Sequence, residues 1–243
     1  MQDRGLAAYI AELVGTLLLV FFITAVGVLF VSVGDNAQFG SDFAVVGLVY
    51  GFVLMVLIIG IGIASGGHFN PAITLGAALM KKIAWVDAAI YMLAQLSGGV
   101  LGALLTKALL EDEGRASNWA LPVVSPLLGG ATQGAIVEAL GSFLLVLTVL
   151  VVALGIKAKK EWAPLAIGLA LAVIAMVFGP LTGPGVNPAR WFGSALVATD
   201  FTDAWVYVVG PIVGSVLAFL FYKFVLEKSD AEEETAVAPG AQK

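Results

Sequence analysis

The triplet Asn-Pro-Ala occurs twice in the chain, each time at the start of a short apolar stretch. Asparagine is a preferred N-cap, proline suits the first helical position because its missing N–H would have no partner there, and alanine lets helix ends approach closely. A helix N-terminus carries roughly half a positive charge. Two such ends facing each other would repel cations, and the side-chain amides of the two asparagines, with their N–H groups aimed at the lumen, could donate hydrogen bonds to a passing oxygen atom. The residues of this predicted site are Asn70, Pro71, Ala72, Asn187, Pro188 and Ala189.

Two ionisable side chains lie next to the triplets, and two more lie in apolar runs earlier in each half. Arg190 falls in the first turn after the second triplet, where the helix dipole disfavours a cation. His68 precedes the first triplet and is either a pH switch or a fixed, hydrogen-bonded loop histidine lining a vestibule. Glu12 and Glu138 lie in apolar runs, where an ionised carboxylate costs about 3 kcal/mol, so each needs a partner. The alternative for the two glutamates is a position at a helix end, from which they reach the headgroups.

The composition indicates the elements that must position these residues. The chain is 60% hydrophobic and 12% charged, against roughly 25% charged in soluble domains, which predicts a membrane protein. Its apolar runs are continuous rather than alternating, which favours an all-α bundle over a barrel. With about 20 residues for each span, six transmembrane helices are predicted, at 7–32, 43–63, 84–109, 131–155, 163–180 and 204–226. Two stretches of half that length remain, 71–80 and 188–197.

The chain also repeats itself. The segment AELVGTLLLVF at 11–21 matches VEALGSFLLVL at 137–147, and a triplet and a GxxxG glycine pair follow in each half. Taken in order, Gly98 and Gly102 correspond to Gly210 and Gly214. An odd number of spans in each half makes the repeat inverted, so that half-helices from opposite faces meet near the membrane midplane. We therefore expect a channel domain over 1–228, with repeats at about 5–110 and 130–227, and a disordered acidic tail over 229–243. The distribution of lysine and arginine predicts cytoplasmic termini.

Taken together, six spans, an inverted repeat, HFNPAIT and VNPARWFGSAL resemble the aquaporin (major intrinsic protein) family, over the whole chain up to the tail. The resemblance implies passive flow of water or small neutral solutes such as glycerol, a homotetramer in the lipid bilayer with one pore in each chain, and no cofactor or metal. Aquaporins exclude protons and ions through lining donors and half-helix dipoles. The resemblance also implies that Glu12 and Glu138 brace the loops before the half-helices by accepting from backbone N–H groups.

A selectivity filter follows from the same resemblance. Its positions are Tyr50, 20 residues before Asn70, Ala175, 12 before Asn187, Pro184 and Arg190. Strict water channels have histidine where this chain has Ala175, so the filter should be wider, although Tyr50 can recover some of that width. Tyr50 could instead be an ordinary packing aromatic.

Other positions leave the choice of solute open. Glycerol-conducting relatives have aspartate after the filter arginine, so Trp191, with Ala195 and Tyr207, favours a water channel. Val208, in place of a tryptophan, favours a glycerol facilitator.

Other classes of function fit less well. A secondary transporter can also use inverted repeats and broken helices, but near the triplets the only ionisable residues are Arg190 and His68. A structural or adhesion role is compatible with the fold. The chain has no cysteine, and no nucleophile, metal cluster or acid pair in a soluble portion suggests an enzyme. Nothing in the sequence indicates a nucleic-acid partner. The short loops favour a prokaryotic plasma membrane.

Overall fold

The computed structural model describes residues 5–32 and 39–228, and within these ranges the chain is all-α, as predicted. The predicted tail, 229–243, lies outside the described residues, as do 1–4 and 33–38. The α-helices, in chain order, are α1 (Leu6–Gly27), α2 (Phe39–Gly60), α3 (Gly62–Ser65), α4 (Pro71–Leu79), α5 (Trp85–Leu109), α6 (Glu111–Ala116), α7 (Ala131–Val149), α8 (Ala163–Thr182), α9 (Pro188–Ala198) and α10 (Ala204–Phe221). Short π-helical turns extend three of them, at Val28–Ser32, Leu150–Leu154 and Tyr222–Leu226.

Six of these helices are long and apolar enough to cross a membrane: α1, α2, α5, α7, α8 and α10. They are apolar all round, and their outward-facing side chains include Phe52, Val56 and Leu93, each at least half exposed. Such helices are stable only where lipid or protein surrounds them. The six predicted spans are confirmed, and α4 and α9 are the two half-length helices that the sequence left over.

Glycines bring the long helices together in equivalent pairs, α1 with α5 and α7 with α10. A Cβ atom on Gly98 would lie 2.3 Å from the carbonyl oxygen of Leu13, and one on Gly214 would lie 2.3 Å from that of Ala139. Because Leu13 and Ala139 each follow the matched glutamate, Gly98 corresponds to Gly214. Pairing the two GxxxG motifs in order, with Gly98 opposite Gly210, was therefore wrong by one helical turn, although both motifs do serve close packing.

Each half-helix packs against a long helix of the other repeat. Ser215 Oγ of α10 donates to the carbonyl oxygen of Ala72 in α4, at 2.8 Å. On the other side, a Cβ atom on Gly99 of α5 would lie 2.2 Å from the carbonyl oxygen of Ala189 in α9. The start of each half-helix is thus fixed by the opposite half of the chain.

The segment between α5 and α7 has structure of its own. It contains the short helix α6 and a single turn, Asn118–Ala120. The turn has positive φ angles, so local sequence patterns did not indicate it.

Candidate functional site

The two Asn-Pro-Ala triplets start α4 and α9, with the asparagines as N-caps. Asn70 Oδ1 accepts from the N–H of Ala72 at 2.8 Å. Asn187 Oδ1 accepts from the N–H groups of Ala189 at 3.0 Å and Arg190 at 3.4 Å. In each helix the proline occupies the first turn, where no N–H is needed.

The amide nitrogens of the same two asparagines exchange hydrogen bonds across the repeat. Asn70 Nδ2 donates to the carbonyl oxygen of Val186, and Asn187 Nδ2 donates to that of Phe69, both at 2.9 Å. The sequence had suggested that these N–H groups point into a lumen. Since a primary amide has two hydrogens, one hydrogen of each amide remains for that purpose.

The residues that supply the accepting carbonyls have strained backbones. Phe69 has φ +49° and Val186 has φ +35°. Left-handed conformations cost a non-glycine residue about 1 to 3 kcal/mol and persist only where the surroundings impose them. The imposed conformation turns each carbonyl toward the opposite half-helix.

Glu12 imposes that conformation in the first half. Its carboxylate is fully buried and accepts from the N–H groups of His68 at 3.0 Å and Phe69 at 2.7 Å. It also accepts from Ser65 Oγ at 2.6 Å and Gln95 Nε2 at 2.7 Å. Four donors on one carboxylate offset the cost of burying the charge.

Glu138 has the same position in the second half and is also fully buried. It accepts from the N–H groups of Gly185 at 2.9 Å and Val186 at 2.5 Å, and from Thr182 Oγ1 at 2.6 Å. Neither glutamate reaches toward headgroups. Both hold the residue before a triplet in its left-handed conformation.

A further network belongs to the first half alone. Gln95 Nε2 donates to Thr74 Oγ1 at 2.9 Å, and Thr74 donates its hydroxyl hydrogen to the carbonyl oxygen of Asn70 at 3.1 Å. His68 Nδ1 lies 3.1 Å from the same Thr74 oxygen. With that hydroxyl hydrogen already used, the Thr74 oxygen can only accept from His68 Nδ1, so Nδ1 carries a hydrogen. In the second half Gly185 stands in place of His68, two residues before the triplet, so this histidine has no counterpart.

A narrow cavity of about 20 Å³ runs between the two triplets. Asn70 and Asn187 border it, as do His68 and Arg190. Much of the remaining wall is apolar, from Leu19, Ile23, Leu54, Ile73, Leu145 and Leu171. The volume is enough for about one water molecule at a time, so a molecule in this space meets both hydrogen-bonding groups and hydrocarbon.

A second, wider cavity of about 490 Å³ shares part of its lining with the narrow one. Tyr50 and Arg190 border both the narrow and the wide space, and Pro184 borders the wide one. Arg190 Nη2 donates to Tyr50 Oη and to the carbonyl oxygen of Ala120, both at 3.0 Å. Ala175 is fully buried in the apolar core and borders neither of these two spaces.

Arg190 keeps two donors for other partners. It is only 2% exposed, yet its Nε and Nη1 atoms have no partner among the described residues. A buried guanidinium with unused N–H groups beside a cavity is suited to donate to molecules that enter it. Among the described residues no cluster of histidine, cysteine or acids could hold a metal ion.

Trp191 packs against Tyr207, a residue that supports the loop before α9. Its ring stacks on that of Tyr207, with centroids 5.8 Å apart. Tyr207 Oη in turn donates to the carbonyl oxygen of Thr182 at 3.0 Å, as Tyr91 Oη donates to that of Ser65 at 2.9 Å in the first half. Trp191 therefore packs behind the loop that carries Gly185.

Sequence reasoning missed several of these residues. Ser65 and Thr182 each stand five residues before a triplet asparagine, so the repeat contained a signal for them. Gln95 had no such signal, because Pro211 occupies the equivalent place in α10. The Ala120 carbonyl belongs to a loop without a recognisable motif.

Comparisons with known proteins agree with this geometry. Residues 2–222 match the family model described as Major intrinsic protein. Aquaporin TIP2-1 of Arabidopsis thaliana is 37% identical over 223 residues, which are 90% of this chain and 86% of the relative. Aquaporin AqpM of Methanothermobacter marburgensis is 35% identical over 236 residues, covering 89% of this chain and 96% of the relative.

One similar solved structure is the X-ray structure of the aquaglyceroporin from Plasmodium falciparum. Its TM-score with this chain is 0.77, its sequence identity is 23%, and the match covers 90% of this chain and 96% of that one. At that identity the likeness establishes the overall fold alone.

Proposed function

The chain belongs to the major intrinsic protein family, and on that premise we propose that it is a passive transmembrane channel for water whose pore is the narrow cavity between the two triplets. The single observation that carries the proposal is the meeting of two capped half-helix N-termini at a cavity whose volume is enough for about one water molecule. Family membership also makes the chain a channel and not an enzyme. Relatives that match most of its length are named as aquaporins.

Water selection at the centre follows from the direction of the hydrogen bonds. Asn70 and Asn187 each keep one amide hydrogen after the exchange with Val186 and Phe69. A central water molecule accepts from both amides, so its own hydrogens point away along the file and it cannot relay a proton through the centre. The positive ends of α4 and α9 add a barrier to cations in a medium of low dielectric constant.

The outer filter is lined, in this proposal, by Tyr50, Pro184 and Arg190, and Ala175, which borders neither cavity, contributes through its small size behind them. Arg190 supplies Nε and Nη1 as donors to solutes and its charge repels cations, while its bonds to Tyr50 and Ala120 hold it at the narrow point. Glu12 and Glu138 support the two loops, and His68 lines the vestibule at the opposite end.

A second candidate is a facilitator for glycerol or another small neutral solute. Two observations favour it: Ala175 contributes no bulk to either cavity, and the wide outer space has room for a polyol. Coupled transport is the remote alternative, because among the described residues no carboxylate borders the narrow cavity, whose ionisable groups are Tyr50, His68 and Arg190.

The proposal also covers the membrane, the oligomeric state and the orientation of the chain. The chain is an integral membrane protein with six spans. We place it as a homotetramer, with one pore in each chain, in a prokaryotic plasma membrane with both termini cytoplasmic. Residues 1–228 form the channel domain and 229–243 a tail. The orientation rests on the lysines between α4 and α5 and between α7 and α8, which fall on the same face as the termini.

The test is light scattering of proteoliposomes under an impermeant osmotic step, then in a glycerol gradient, with empty liposomes as the reference. Fast shrinkage with slow glycerol entry supports a water channel, whereas fast shrinkage with rapid glycerol entry supports the facilitator. Shrinkage no faster than in empty liposomes would rule out both. A pH-sensitive dye trapped in the vesicles should report no added proton flux.

A further inference from the structure

The turn Asn118–Ala120, between α6 and α7, is strained. Its three residues have φ angles of +48°, +58° and +48°. None is glycine, and three left-handed residues in succession persist only where the surrounding structure imposes them. Strain of this kind is a reason to ask what the neighbouring groups do.

Trp119, the middle residue, anchors the turn. Its side chain is 7% exposed and packs in a cluster with Val20, Ala103 and Val197. Lys107 Nζ lies 5.4 Å from the ring centroid, within the range of a cation–π contact. Gly114 faces the ring so closely that a Cβ atom there would lie 2.2 Å from it. The ring is therefore held by α1, α5, α6 and α9 at once.

The anchored turn delivers one hydrogen-bond acceptor to the filter. The Ala120 carbonyl oxygen and Tyr50 Oη are the two acceptors for Arg190 Nη2. Because Nε and Nη1 of Arg190 have no partner among the described residues, those two acceptors fix where its free donors point. Gly27 leaves the space for this approach, since a Cβ atom there would lie 2.7 Å from Ala120 Cβ.

We propose that Trp119 is a positioning residue for solute selection: it holds the turn, the turn holds Arg190, and the position of Arg190 sets the ratio of glycerol to water passage. Trp119 itself borders neither of the two cavities, so it acts through the guanidinium and not by touching solute. The inference rests on the proposed channel function. Without the Ala120 carbonyl, Arg190 can swing away from the narrow point and widen it.

The experiment compares the glycerol-to-water permeability ratio of Trp119→Leu and Gly114→Ala with that of the wild type in proteoliposomes. Each variant should raise the ratio by about fivefold, the factor that one net hydrogen bond gives to an equilibrium. Trp85→Leu, at a tryptophan that is 59% exposed, and Gly60→Ala, where a Cβ atom meets nothing within 4 Å, are the matched controls and should keep the wild-type ratio.

A double variant tests whether Trp119 acts by positioning Arg190 or whether its replacement causes a general loss of structure. In Arg190→Ala, adding Trp119→Leu should not raise the ratio further, because the group that the turn positions is gone. An undiminished fivefold rise in that background would overturn the inference, as would a wild-type ratio in both Trp119→Leu and Gly114→Ala. Trp119→Phe, which keeps a ring, should retain the wild-type ratio. A Trp119→Phe protein with a glycerol-to-water ratio as high as that of Trp119→Leu would also count against the inference. A wild type without water flux would instead defeat the channel function itself.

Discussion

Replacing Glu138 with glutamine tests whether the buried glutamates support the loops before the half-helices. The change keeps the size of the side chain but turns one carboxylate oxygen into an NH₂ group. Three donors converge on Glu138: the hydroxyl of Thr182 and the N–H groups of Gly185 and Val186. In either orientation of the amide, at least one of these donors faces another donor.

The expected cost follows from those contacts. Losing a hydrogen bond to a charged group costs about 1.5 to 3 kcal/mol, and leaving a buried N–H without a partner costs about 1 to 3 kcal/mol. Removing the buried charge returns part of this free energy. We therefore expect a net destabilisation of about 2 kcal/mol, which for a chain of this size lowers Tm by about 4 to 8 °C.

The substitution should also change the conformation of the loop before α9. Without the Glu138 carboxylate, Val186 can leave its left-handed conformation, and its carbonyl then no longer accepts from Asn70. Water flux should fall in proteoliposomes that contain equal amounts of folded protein.

Thermal unfolding in detergent, followed by tryptophan fluorescence, measures the first effect, and stopped-flow light scattering measures the second. Glu161→Gln makes the same chemical change at an exposed residue and should alter neither quantity. A Glu138→Gln protein with the Tm and the water flux of the wild type would refute the supporting role.

Three other variants test the pore. Arg190→Ala should raise urea permeability by about tenfold, equivalent to about 1.4 kcal/mol of barrier, because a buried cation and its donors leave the filter; unchanged urea rejection would place the constriction elsewhere. Asn70→Asp combined with Asn187→Asp removes both amide donors and adds negative charge between the helix ends, so it should leak cations or fail to fold, and normal water flux with intact proton exclusion would falsify our account of the centre. Ala175→His adds a polar ring at a site without free volume, so the ring should intrude on the pore and lower glycerol flux severalfold, as measured by vesicle re-swelling; an unaltered glycerol rate would remove Ala175 from the filter.

Sequence periodicity was sufficient for the large elements. A membrane span needs about 20 apolar residues, and Asn-Pro at the start of a shorter apolar stretch indicates a half-helix. Both kinds of helix were therefore predicted to within a few residues. The glutamates were identified because a carboxylate in an apolar run requires partners. These inferences need only local sequence and the properties of lipid.

The contacts that join the halves were beyond that reasoning. Asn70 and its acceptor Val186 are 116 residues apart in the chain, and which carbonyl meets which amide depends on how two loops pack. Gln95 supports Glu12 without any counterpart at Pro211, so the repeat could not reveal it. The Ala120 carbonyl is a backbone group, which residue identity does not encode.

The two reciprocal hydrogen bonds between the asparagine amides and the loop carbonyls resemble the contacts of an isologous interface. Asn70 contacts Val186 just as Asn187 contacts Phe69, which is the reciprocity that a two-fold axis imposes on a homodimer. A single half inserted alone would leave an amide donor and a strained carbonyl unpaired in the membrane interior. A second copy inserted with the opposite orientation would satisfy both groups at once. The covalent link between the two halves therefore fixes a stoichiometry of one to one and opposite orientations, neither of which separate halves could guarantee.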